Sequence, residues 1–137
     1  MIEVVNRQRR LKVDTRVWAG FAEKALDAIG KNGSSATIAF ISDTAIEKLN
    51  KQFRGIDKAT DVLSFPADGP DERNLGDIAI SVETAASQAK EAGLAFDDEI
   101  AQLILHGLLH LSGYDHETDN GEMNSIELKL RDKLKIS

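Results

Sequence analysis

A chain of 137 residues with 42% apolar and 29% charged side chains is sized for one compact domain, 1-137, around a single core. It has no cysteine, which excludes disulfides, thiolate metal sites and cysteine nucleophiles. A formal charge of -6 argues against a surface coated in positive potential for nucleic acid.

In chain order, IEVVN (2–6) is short and β-branched and reads as a strand. The opening turns polar at Asn6, too early for a secretory apolar core, and no apolar run nears the roughly 20 residues of a membrane span. The expectation is a cytoplasmic protein with no membrane partner. After the basic stretch RQRRLK, Asp14 or Thr15 can cap a helix whose stripe is Val17, Trp18, Phe21, Ala22, Ala25, Leu26 and Ile29, ended by Gly30 and Asn32-Gly33. ATIAFIS (36–42) reads as a buried strand. Ser42 or Asp43 can cap the next helix, with Ile46, Leu49 and Phe53 on its apolar face. DVLSF and GDIAIS read as strands, and the loop PADGPDERNL between them suits an antiparallel hairpin-like pair.

An alanine-rich helix is expected over 82–92, ending at Gly93. DDEIAQLILHGLLHL then sets three acids in a first turn, where the helix dipole favours them, and becomes apolar on nearly every side, as a central helix does. A last helix is expected over about 117–134. The order β, α, β, α, β, β, α, α, α describes an α+β domain: a mixed four-stranded sheet packed with five helices, with a central, zincin-like histidine-bearing helix.

All three histidines fall in HGLLHLSGYDH, 106–116. His106 and His110 are one helical turn apart on one face, within reach of a common ion. Gly113 can end the helix in a left-handed conformation, so that the chain reverses and returns His116 as a third ligand. The spacing H-x3-H-x2-G-x2-H matches the ligands and glycine of the metzincin zinc motif. Zn2+ is the first expectation, since three imidazoles leave a position open; nickel, cobalt and copper accept the same donors. Asp115, Glu117 or Asp119 could fill the fourth position instead. Zinc peptidases carry a glutamate after the first histidine as general base, whereas this chain has Gly107, a residue suited to tight helix packing.

The histidine motif, with LNKQFRGIDKATDVLSFP (49–66) and LGDIAIS (75–81), resembles the YbeY family of bacterial ribosomal-RNA maturation factors. One departure is Ala59, where that family usually has proline. The resemblance implies a metal-dependent endoribonuclease acting on single-stranded rRNA, in small-subunit (16S) rRNA 3′-end maturation and ribosome quality control. It implies His106, His110 and His116 as zinc ligands, Arg54 as the catalytic cleft arginine, and small-subunit ribosomal proteins and an Era-type GTPase as partners. An arginine beside a metal suits phosphodiester cleavage, where negative charge builds on phosphoryl oxygens. Asp115, Glu117 and Glu83 stand as unranked proton carriers. Asp61 and Asp77 can orient a ligand imidazole or bond to backbone. The alternatives are a metallohydrolase of peptides or small molecules, and a non-catalytic, metal-stabilised ribosome-assembly factor. For RNA binding by an acidic chain the candidates are the basic segment Arg7, Arg9, Arg10 and Lys12, with Arg54 and Lys58 as a second patch; exposed rings for base stacking look few.

Overall fold

A computed structural model describes residues 1–69, 71, 73–113 and 122–134. The elements follow the expected order: β1 (Ile2–Asn6), α1 (Thr15–Ile29), β2 (Ser35–Ile41), α2 (Asp43–Arg54), β3 (Val62–Pro66), β4 (Asn74–Ser81), α3 (Val82–Ala92), α4 (Phe96–Leu111) and α5 (Glu122–Leu134). The expected start of the last helix, 117–121, lies outside the described residues. Asp14 caps α1, its carboxylate accepting from the amides of Arg16 and Val17. Ser42 caps α2 by accepting from the Ala45 amide.

The sheet is ordered β1-β2-β4-β3. β1, β2 and β4 run parallel, and β3 returns antiparallel on β4 with Val62 opposite Ile80 and Ser64 opposite Ile78. β3 is thus an edge strand. Gly76 allows this pairing: its φ is +130°, and a Cβ there would stand 2.1 Å from the Phe65 carbonyl oxygen.

Side chains alternate across the sheet. Ile38, Phe40, Ile78 and Ile80 point to the main core, where α1, α3, α4 and Leu130 of α5 pack. Ala39, Ile41, Leu63 and Ala79 face the other way, onto Ile46 of α2. The second layer is thinner, and Phe53, expected on the buried face of α2, is 59% exposed with its ring edge against Phe65, 5.2 Å between centroids. Val17 of the α1 stripe is likewise exposed. α2 and α3 start side by side: the Ser81 and Thr84 hydroxyls donate to Asp43 Oδ1 at 2.5 and 2.6 Å, and the Asp43 amide donates to Glu83 Oε1.

α4 is the central helix. Between its first turn and Leu111 the buried residues include Ile100, Ile104, Leu105, Leu108 and Leu109, and it packs on α1, α3, β3 and β4. Gly107 is where it meets the sheet, since a Cβ there would lie 2.9 Å from Ile78 Cδ1. The packing role expected for Gly107 is what the structure shows. α4 ends where Gly113, at φ +104°, donates its amide to the His110 carbonyl.

Candidate active site

The last two turns of α4 hold His106 and His110 against the edge strand β3. Their Nε2 atoms lie 3.1 Å apart and both side chains are half-buried. Two nitrogens each bound to zinc at about 2.05 Å and a near-tetrahedral angle would stand about 3.3 Å apart, so the pair fits two ligands of one ion. The same spacing suits an N–H···N hydrogen bond. Among the described residues no set of three His, Cys, Asp or Glu side chains forms a metal-binding group. His116, expected as third ligand, lies outside the described residues, as do Asp115, Glu117 and Asp119.

A cavity of about 380 Å³ opens in front of the two histidines, walled by Arg54 and by Thr60 to Ser64. Arg54 is the last residue of α2, released from the helix by Gly55 at φ +70°. It is exposed, and no carboxylate among the described residues lies within ion-pair distance of it. The loop from Arg54 to β3 is clamped from below by Asn50, 2% exposed, whose amide donates to the Lys58 carbonyl at 3.0 Å. Asn50 belongs to the LN pair of the upstream motif, but its role was not evident in the sequence.

Behind His106 lies a second, smaller set of groups. Glu127 of α5 is 7% exposed, and its Oε1 stands 3.5 Å from His106 Nδ1 and 3.5 Å from Arg131 Nη2. With Nε2 directed at His110, Nδ1 is the ring nitrogen left to meet this carboxylate. Glu127 was missed in the sequence; the available signal was an acid beside the apolar positions Ile126 and Leu130. Glu99 is the other buried acid near the site. One of the three acids in the first turn of α4, it is only 9% exposed. The Gln88 side-chain amide faces both Glu99 and Asp61, and with its nitrogen assigned to that side from its acceptor surroundings it donates to Glu99 Oε1 at 2.9 Å and Asp61 Oδ2 at 3.1 Å. Burial, and then the charge of Asp61, raise the Glu99 pKa above its ordinary 4.5, while Arg131 pulls it down.

Asp61 lines the cleft, its Oδ1 accepting from the Val62 amide at 2.7 Å. Asp77 is exposed and lies outside the cleft lining. Glu83 Oε1 accepts from the Asp43 amide at the start of α2, and Glu83 is not among the residues lining the cleft. No helix among the described residues is long and apolar enough to cross a membrane.

Edge strand, histidine-bearing helix and backing helix together define a single-domain α+β protein of zincin-like layout. The solved solution structure of a Thermotoga maritima protein has this fold, with a TM-score of 0.69 and 29% identity over 98% of this chain and 89% of that one. The chain belongs to the Endoribonuclease YbeY family, which it matches over residues 3–135. Among relatives called endoribonuclease YbeY, that of Nautilia profundicola is 56% identical over 94 residues, 69% of this chain and 68% of the relative. The Koribacter versatilis protein is 50% identical over 85% of this chain and 74% of its own length. The Geobacter sulfurreducens protein is 37% identical over 96% and 91%.

Proposed function

We propose that this chain is a zinc-dependent endoribonuclease that cuts single-stranded RNA in the cytoplasm, acting in 3′-end maturation of small-subunit rRNA and in ribosome quality control. The observation that carries this reading is the cleft, where an arginine with no ion-pair partner among the described residues faces two converging imidazoles. His106, His110 and His116 are the proposed ligands. A zinc ion held by them supplies Lewis acidity at a phosphoryl oxygen. Arg54 offers a planar fork to the remaining oxygens and stabilises the charge that builds on them during cleavage. Glu127 orients His106 through Nδ1 and keeps Nε2 as the donor lone pair. Small-subunit ribosomal proteins and an Era-type GTPase are the proposed partners, on family resemblance.

The packing of Gly107 on Ile78 weighs against a peptidase, because a glutamate at this position would be driven into the β4 core and not toward the histidines.

The test is cleavage of a labelled single-stranded RNA by wild type and by His110→Ala, purified in parallel. Cutting by wild type alone, abolished by chelation and restored by zinc, is expected. Equal cutting by both proteins would reject a nuclease at this site.

A further inference from the structure

A concavity larger than the histidine cleft lies elsewhere on the described residues. A groove of about 1060 Å³ lies between the loop after β1 and the start of α1, where Arg9, Arg10, Lys12 and Arg16 stand against two acids, Asp14 and Asp97. All four cations are exposed, and among the described residues none has a carboxylate within ion-pair distance. One of the two acids is already committed, since Asp14 caps α1. In a chain of net charge -6, this is a concentrated positive surface.

The loop is built, not merely basic. Gln8, 9% exposed, turns inward and makes four side-chain hydrogen bonds. Its amide donates to Asn6 Oδ1 and to the Leu11 carbonyl, both at 2.8 Å. Its Oε1 accepts from the amides of Arg10 and Leu11 at 2.8 and 3.0 Å. Arg9 and Arg10, which follow Gln8, are thereby displayed on a braced turn, which lowers the entropy lost when they bind.

The groove lies at the same end of the sheet as the cleft. β1, β2 and β4 are parallel, so the loop leaving β1 and the Asp61 carbonyl that bonds the Ser81 amide lie at the same end of the sheet. β1 and β3 are its opposite edges, three strand spacings or about 14 Å apart. α4 spans the same interval: Asp97 lines the groove and His106 lines the cleft, nine residues or about 14 Å along the helix.

We propose that this groove is a second RNA-binding site, taking the phosphates of a single strand whose scissile linkage lies in the histidine cleft. The proposal rests on the nuclease reading above. A polyanionic strand is the occupant because the exposed cations line a concavity at the same end of the sheet as the cleft and about 14 Å from it, a span a strand can bridge and a flat bilayer would not fill.

The test uses the full-length, zinc-loaded protein and the triple variant Arg9→Ala, Arg10→Ala, Lys12→Ala, whose side chains make no hydrogen bond or ion pair among the described residues. Binding of a labelled 2′-O-methyl strand of about 24 nucleotides is followed by anisotropy across a salt series. Loss of three phosphate contacts should flatten the slope of log K against log salt by about 2, at about 0.7 per contact. Affinity at low salt should fall on the order of tenfold. Arg16→Ala, on α1 and away from the braced turn, should flatten the slope by about 0.7. Cleavage of an RNA hexamer should be unchanged in both variants, while KM for the long strand rises. Unchanged slope and affinity would overturn the proposal, as would equal loss on the hexamer and the long strand. Loss of binding to phosphatidylglycerol vesicles with RNA binding intact would overturn it in favour of a lipid surface. If wild type cuts neither RNA, the nuclease reading falls, and the salt slope alone still decides whether the groove holds phosphates.

Discussion

Gly107→Ala measures how closely the histidine-bearing helix rests on the sheet. The new methyl would lie 2.9 Å from Ile78 Cδ1, 3.1 Å from Cγ2 and 3.2 Å from Cγ1. Ile78 is 2% exposed and has no open side to swing into. Overpacking of this kind costs about 1–3 kcal/mol. Alanine's advantage over glycine inside a helix offsets about 1 kcal/mol. The net expectation is destabilisation by about 1 kcal/mol, a fall in Tm of about 3–5 °C for a chain of this size, read by thermal unfolding. Ile78→Val removes the nearest contact atom and by itself should cost about 0.5–1.5 kcal/mol. In that background Gly107→Ala should be close to neutral, a coupling of about 1 kcal/mol in the double-mutant cycle. A rise in Tm for Gly107→Ala alone, as at an unconstrained helix position, would refute the close approach and the argument against a glutamate there.

Three further outcomes are expected. Glu127→Ala should weaken zinc binding by about 10- to 100-fold in a chelator competition, with Glu127→Gln recovering part of the loss through its carbonyl oxygen; equal affinity would show that the carboxylate does not orient His106. Arg54→Ala should lower the cleavage rate on the order of 100-fold with zinc content and Tm unchanged, as for loss of one oxyanion donor; full activity would remove arginine from the mechanism. Because the folded-state pKa of Glu99 is raised, the folded chain holds more protons than the unfolded one just above pH 4.5. Stability should therefore fall as pH rises through that window, and Glu99→Gln should flatten the decline in a pH series of unfolding curves and stabilise the protein at neutral pH. An unchanged pH profile in Glu99→Gln would show that the decline has another source.

Periodicity was a good guide to the elements because each depends on neighbours in sequence. The α1 stripe apart from Val17, the buried run of β2 and the capping residues before both helices were all legible. Pairing was less so. That β2 adjoins β4 and leaves β3 at the edge follows from packing across the sheet, not from a local pattern, and this edge forms the cleft wall. Phe53 illustrates the limit of a helical wheel: it shares a face with Ile46, but the thin second layer ends before reaching it. The histidine pair was readable from its four-residue spacing, whereas Glu99 and Glu127 were not, since a buried acid announces itself only through its partners. Position 116 lies outside the described residues, so the third ligand rests on the motif.

The cleft is assembled from α2, β3 and α4, and the carboxylate behind its first histidine arrives on α5, which follows all three in sequence. During synthesis the arginine, the edge strand and the histidine pair are therefore made before Glu127. A nascent chain stopped short of α5 would present its imidazoles without the group that holds His106 in register. For a protein proposed to cut RNA, this order makes the contact behind His106 wait on a segment synthesised after the rest of the cleft.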